Sequence, residues 1–384
     1  MFRLHSRSSM RHLLLGAASV VGLLVAAAPA QAASVYVTNI NGNNVSQYAV
    51  SGGKLFPRSP GKVPAGNGPW GVAVSPNGKN VYVTNINGND VSQYTVTGGK
   101  LFQKIPARVP AGSRPRGIAV SPDGHSVYVA NSGSCGFDSS GGNVSQYTVG
   151  SGGKLSPKTP ARVLAGCGPE DVVVSPNGES VYVRNFINDN FDFCNDDLGA
   201  ISQYDVGPGG SLSAKSPPCA SAPAQGSGLA ISPDGQDVYV AGFFCGGREC
   251  RSTSGVRFDV GSGGLLSRSG YIYVGCDGSR EVVVSPNGQS AYITNACNRV
   301  RQYSRAPSGT LPSKIPAEVA AGSSPSGLAM SANGFSLYVA NAGDDTVSQY
   351  TVGDPRGKLF PRIPAKVAAG NQPVGVAVNP PAIP

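Results

Sequence analysis

The chain has 384 residues, 30 of them basic and 21 acidic, with 53 glycines, 31 prolines and 8 cysteines. Its formal charge of +9 includes Arg3, Arg7 and Arg11 of an N-terminal leader, whose removal leaves 27 basic against 21 acidic residues. That balance, in an exported chain without an aromatic stacking platform, excludes nucleic acid as a partner, and no segment of the mature chain carries a sustained helical period.

Residues 1–32 read as a secretory signal peptide. The three arginines form a basic n-region, Leu13 to Ala28 is apolar, and Ala30-Gln31-Ala32 is a small-residue cleavage site. The apolar run is short and ends in a processing site, so the mature chain, 33–384, is expected to be secreted and not membrane-spanning. It would be periplasmic if the cell has an outer membrane.

The mature chain then repeats itself. Val35-Tyr36-Val37-Thr38-Asn39 returns at 81–85, with variants beginning at Val127, Val181, Val238, Ala291 and Leu337, spaced 46, 46, 54, 57, 53 and 46 residues apart. Periods of this size mark solenoids, propellers or arrays. Each unit predicts four short strands. The first is Gly71-Val-Ala-Val-Ser-Pro76, followed by the tight turn Pro76-Asn77-Gly78. The second is the Val-Tyr-Val phrase and the third is Val-Ser-Gln-Tyr, as at 91–94. The fourth starts at Gly98-Gly99-Lys100-Leu101 and runs through a Pro-rich stretch.

Four-stranded tandem units of this length suit the blades of a β-propeller, each burying its faces against its neighbours. The strand-two Tyr and the strand-three Tyr or Phe are expected to fill the wedges between blades. The chain enters at strand two, Val35, and ends after an extra strand one, Gly375-Val376-Ala377-Val378. The expected fold is therefore an all-β, seven-bladed propeller closed three-plus-one. Closure hides two strand edges, and a monomer is expected.

The Tyr-Val-Thr-Asn phrase and the Ser-Pro-Asn/Asp-Gly turns resemble those of YVTN-repeat β-propellers, and more broadly the lactonase-like seven-bladed propellers, over essentially all of the mature chain. The resemblance implies a site with Pro-Arg-His before a strand one and Asn-Glu after a strand two. Pro115-Arg116 matches the first two positions, but Gly117 stands where His belongs. The strand-two Asn residues are followed by Ile40, Ile86, Ser132, Phe186, Ala296 and Ala342, never Glu, and the fifth unit has Ala241-Gly242. The one His of the mature chain, His125, falls in a hairpin turn on the opposite face.

Function in a propeller is expected where the loops before strand one and after strand two converge. The residues entering strand one include Trp70, Arg116, Glu170 and Arg280, which form the expected ligand-binding mouth. The next position is Gly except at Asp171 and Glu281. Arg116, Glu170, Asp171, Arg280 and Glu281 are therefore the catalytic candidates, as a general acid or base beside cationic partners.

Three consecutive units carry long loops, 131–144, 185–201 and 241–256, expected to form a crown over the mouth. All eight cysteines lie in the mature chain, and the pairing 135–167, 194–219, 245–250 and 276–297 is expected among Cys135, Cys167, Cys194, Cys219, Cys245, Cys250, Cys276 and Cys297. The middle loop supplies Asp189, Asp192, Asp196 and Asp197, an oxygen-rich set suited to Ca²⁺ without EF-hand spacing. No other cofactor is implied. On the fourth strands, basic residues recur every four positions (Lys54, Arg58, Lys62; Lys100, Lys104, Arg108; Lys154, Lys158, Arg162; Lys358, Arg362, Lys366), predicting basic stripes at the rim.

The leading expectation is a secreted binding or scaffold protein, taking a small-molecule or surface ligand through its mouth and crown. The first alternative is a lactonase-like hydrolase of the 6-phosphogluconolactonase or carboxymuconate-cyclase kind, using Arg116 with the mouth carboxylates. The second is a surface-associated protein held to an anionic wall polymer by the basic rim.

Overall fold

A computed structural model describes residues 33–133, 142–186, 199–222, 228–242, 244–246, 249–251, 254–275, 278–353 and 356–380. These lie in one compact unit, Gln31–Pro384. They form a seven-bladed propeller. Blades two to seven each run outward along the chain, from an innermost strand such as Pro69–Val74 through Asn80–Asn85 and Asp90–Thr97 to an outermost Lys100–Pro110. Blade one takes its outer three strands, Ser34–Asn39, Asn44–Ser51 and Lys54–Pro64, from the N-terminal side. Its innermost strand is Pro373–Asn379, paired antiparallel to the first with Val35 opposite Val378. The expected three-plus-one closure is thus observed. Helical structure among the described residues is confined to three 3-10 turns, at Ser151–Gly153, Pro208–Gly210 and Ser262–Gly264. No described helix is long and apolar enough to cross a membrane.

The repeated residues explain the repeated backbone. In the Ser-Pro-Asn-Gly turn, the Ser75 hydroxyl donates to Asn77 Oδ1 at 2.7 Å and accepts the Asn80 N–H at 2.9 Å. Gly78 supplies the positive φ of 67° that the turn requires. Second strands are buried along their whole length in blades one to seven, so alternation of apolar and polar residues is absent there and Val-Tyr-Val is tolerated on both faces. Core clusters form between blades: Tyr36 of blade one packs with Val81, Val83 and Tyr94 of blade two. Each such side chain removed from water contributes about 1.5–3 kcal/mol.

Polar groups stitch the same wedges. Each strand-two Tyr donates its hydroxyl to a glycine carbonyl of the following blade: Tyr36 to Gly99, Tyr82 to Gly153, Tyr128 to Gly210, Tyr182 to Gly264, Tyr239 to Gly309, Tyr292 to Gly357 and Tyr338 to Gly53. The strand-three Tyr reaches the other way, as Tyr94 does to the Pro64 carbonyl at 2.7 Å. Gln47 bridges as well, donating to the Pro60 carbonyl and accepting the Leu101 N–H of the next blade at 3.0 Å. Blade five departs from both rules, with Phe258 and Arg257 at the Tyr and Gln positions. Tyr82→Phe is expected to lower unfolding free energy by ~1 kcal/mol, the usual net worth of one buried hydrogen bond. Urea denaturation compared with the parent checks it.

The basic stripes are corrected. A register shift interrupts the pairing of the third and outermost strands in blade two between Ser92 and Tyr94. Spacing by four therefore does not hold the three cations on one face, and the middle one turns inward. Lys104 is 6% exposed, and its ammonium donates to Asn80 Oδ1, Thr95 Oγ1 and the Gly152 carbonyl of blade three. Arg58 and Arg362 likewise reach the carbonyls of Gly98 and Gly52 in their following blades. These middle cations tie blades together, while Lys54, Lys62, Arg108, Lys154, Arg162 and Lys366 remain exposed.

Candidate functional site

The innermost strands set the mouth. Six of them have a register shift at their start, as between Pro69 and Val72 and between Pro169 and Asp171. Such bulges re-aim side chains at a strand end, here toward the axis. The next ring position is tight. A Cβ on Gly71 would lie 2.3 Å from the Arg116 carbonyl, and one on Gly375 would lie 2.4 Å from the Trp70 carbonyl. Glycine there lets adjacent blades meet backbone to backbone, and Asp171 and Glu281 are the two positions where a carboxyl enters that ring.

Trp70, Arg116, Glu170, Asp171, Arg280 and Glu281 all line one cavity of about 130 Å³. It matches the reacting end of a small ligand and falls well below the size of a drug-binding pocket. The Arg116 guanidinium lies 4.9 Å from the Trp70 ring centroid and forms an ion pair with Glu170. Its Nε is buried and has no partner among the described residues. Stacking on one side and the carboxylate on the other fix the plane of that guanidinium. Arg280 is exposed on the wall of the mouth.

Glu170, Asp171 and Glu281 are each half-buried on the cavity wall. Burial pushes the Asp171 carboxyl up to about 7, against the opposing pull of two backbone N–H groups. Those are Val172 N–H, on Oδ1, and Leu229 N–H of blade five, on Oδ2, both at 2.9 Å. Glu281 is raised well above the usual carboxylate range, by burial first and by the neighbouring Asp171 charge second, with one opposing bond from Val282 N–H at 3.2 Å. Burial also raises Glu170, while Arg116 and Arg184 pull it back. A carboxyl titrating near neutrality beside fixed guanidinium groups is suited to general acid–base work with electrostatic stabilisation.

Arg184 belongs to this network, and sequence reasoning passed over it. It occupies the place of Thr in Val-Tyr-Val-Thr-Asn and sits directly across from Asp171 in the strand pairing. Thr84 at that place bridges blades, donating to the Arg116 carbonyl at 2.6 Å and accepting the Gly71 N–H at 2.8 Å. Arg184 is fully buried, donates Nη1 to the Asn185 carbonyl, and leaves Nε and Nη2 without partners among the described residues. The available signal was a charged residue at a position otherwise held by Thr or Ala.

Asp189, Asp192, Asp196 and Asp197, the Ca²⁺ candidates, lie outside the described residues, as do Cys135, Cys194 and Cys276. No group of three or more metal-ligating side chains occurs among the described residues. Cys245 and Cys250 face each other in the pairing of a short hairpin, Phe244–Gly246 with Glu249–Arg251. Cys219 lies in the outermost strand Leu212–Ser221. His125 is in its turn beside Asp123, with 77% of its side chain exposed.

A family model described as "Lactonase, 7-bladed beta-propeller" matches residues 31–138 and 135–311, well over half of the chain. Comparison with curated proteins finds no match. Among solved structures, the fold is similar to that of the periplasmic gluconolactonase PpgL of Pseudomonas aeruginosa, at 18% identity over 92% of this chain and 99% of that one, with a TM-score of 0.72. It is also similar to a candidate 6-phosphogluconolactonase of Bacteroides fragilis, at 17% identity, 91% and 98% coverage and a TM-score of 0.70. The hydrazine synthase of Kuenenia stuttgartiensis is similar at 19% identity, 83% and 92% coverage and a TM-score of 0.63. These likenesses show the fold. The family match overturns the expectation of a binding or scaffold module. The physical reason is that the mouth carboxyls and guanidinium groups lie on one cavity and perturb one another.

Proposed function

The chain belongs to the seven-bladed β-propeller lactonase family, and on that premise we propose that it hydrolyses lactones at the channel mouth. The observation that carries the reading is the joint presence, on one cavity, of an oriented Arg116 and the Asp171 carboxyl, which burial pushes up to about 7. Opening a lactone needs a base for the attacking water, charge stabilisation for the tetrahedral oxyanion, and a proton for the departing alkoxide. Arg116, held by Glu170 and Trp70, faces the cavity as the oxyanion partner. Gly117 stands where the family's His is expected, so acid–base work falls to the mouth carboxyls. Similar folds bear the names gluconolactonase and 6-phosphogluconolactonase, which favours sugar lactones as the first class to test. We further propose that the protein is exported and disulfide-braced, since residues 1–32 read as a leader and none of the described cysteines is free.

The test is a hydrolysis panel of sugar, acyl-homoserine and carboxymuconate lactones on the purified, oxidised mature protein. Arg116→Ala is expected to lower kcat/KM by ~10²–10³, the usual loss of one oxyanion donor. Glu170→Gln, which loosens the Arg116 plane but keeps its charge, is expected to lose less. Absence of turnover on every lactone sinks the proposal.

A further inference from the structure

We infer that Asp171 and Glu281 form a carboxyl pair sharing one proton, with Asp171 the ionised general base and Glu281 the protonated general acid. The proton sharing stands by itself, while the catalytic roles rest on the lactone-hydrolase reading.

The geometry is that of two side chains converging on one stretch of backbone from either side. Asp171 comes from blade four and Glu281 from blade six, and both meet Gly228-Leu229 of the intervening blade five. The Leu229 N–H donates to Asp171 Oδ2 at 2.9 Å. A Cβ on Gly228 would stand 2.6 Å from Glu281 Cα and 3.0 Å from its Oε1. Only a glycine at 228 leaves room for the second carboxyl to reach the same place. Two carboxyls desolvated by burial and electrostatically linked cannot both ionise near neutral pH, so one proton stays with the pair.

Hydrogen bonds decide which member holds it. Asp171 accepts two backbone N–H donors and Glu281 accepts one. Donors favour the charged form, so the negative charge settles on Asp171 and the proton on Glu281. The other charged groups around the cavity are Glu170 beside Asp171, which is itself balanced by Arg116 and Arg184, and Arg280 next to Glu281. Blades one, two and seven contribute Val374, Trp70 and Ser326 at the mouth, none of them titratable there.

The step balances as follows. Asp171 takes a proton from water as its oxygen bonds the lactone carbonyl carbon. The tetrahedral centre then collapses, breaking the ring C–O bond, and Glu281 gives its proton to the departing oxygen. A hydroxy acid leaves. Asp171 now holds a proton and Glu281 holds the charge, and a proton transfer between the two carboxyls restores the starting state.

The pair also shapes stability against pH. The folded chain keeps protons that the unfolded chain releases near the ordinary carboxylate value, about 4. Its contribution is therefore full below about pH 4 and is lost as pH rises through the folded values, which for Asp171 means to about 7.

Infrared titration of the parent, Asp171→Asn and Glu281→Gln, beside their lactone pH–rate profiles, tests both halves. At a pH above the Asp171 value of about 7, the parent is expected to show a protonated-carboxyl band that Glu281→Gln removes. In Asp171→Asn, with the neighbouring charge gone, the band is expected to persist but titrate at lower pH than in the parent. Asp171→Asn is expected to lower kcat by ~10²–10⁴, and Glu281→Gln to remove the alkaline limb of the profile along with most of the rate. A parent without the band, or a band that Glu281→Gln leaves in place, overturns the shared proton. Parent-like profiles in both variants overturn the catalytic roles. The expected band in a parent that opens no lactone upholds the pair and sinks the lactonase reading instead.

Discussion

Gly71→Ala is expected to destabilise the fold by ~3 kcal/mol, the upper end of what overpacking by one methyl usually costs. The added Cβ would sit 2.3 Å from the Arg116 carbonyl oxygen, with Thr84 Oγ1 at 3.1 Å and the Ile118 side chain at 3.2 Å behind it. Backbone cannot rotate away as a flexible side chain would, so blades two and three must separate at the axis. The separation would also stretch the Thr84 bridge, which joins the Gly71 N–H to the Arg116 carbonyl across that seam. Gly52→Ala is the matched comparison. Gly52 has a φ of +55° and open space around its Cβ position, so alanine there meets a backbone cost alone, about 1 kcal/mol. Urea midpoints of the two variants separate the mechanisms. Equal losses would mean that the axis relaxes freely and that glycine at ring positions serves conformation instead of close approach.

The same two glycines show why the architecture was legible in the sequence. Every blade solves one backbone problem with one set of residues, so Val-Tyr-Val, the Ser75-type turn and the Tyr hydroxyls recur at a fixed period and announce themselves. The departures at Asp171 and Glu281 were legible for the same reason: a ring of glycine makes any other residue conspicuous. What a repeat cannot carry is the environment of a single side chain. Lys104 looked like a rim cation because a spacing of four implies one face, and the register shift in the outermost strand reverses that inference. Glu170 and Asp171 were legible as charges at the mouth, but the extent of their burial was not. That burial depends on blades three and five closing over them, which no local pattern records. Arg184 was hidden by sitting one residue past the apolar phrase, where Thr38, Ala130 and Ala340 make variation look unimportant.

Arg184→Met is expected to raise the stability of the folded protein by about 1–3 kcal/mol while lowering turnover, a trade that follows from the surroundings of this one guanidinium. Burial pushes Arg184 down to about 10, so the protein holds the charge at a cost, and two of its nitrogens have no acceptor among the described residues. Glu170 would not be stranded by its removal, because the direct ion pair of Glu170 is with Arg116. Methionine fills much of the same volume without a charge, which limits the cavity left behind. What is lost is the second positive field on Glu170. That carboxyl, already raised by burial, would rise further and pair less firmly with Arg116 at neutral pH. The expected kinetic result is a loss of ~10-fold in kcat/KM with little change in the pH limbs set by Asp171 and Glu281, since Arg184 acts on the oxyanion partner and not on the proton pair. Thermal unfolding and lactone kinetics on one preparation read both effects together. A variant that is less stable than the parent would show that Arg184 earns its burial through packing or unseen acceptors. One that is more stable and equally active would remove it from the machinery of the mouth.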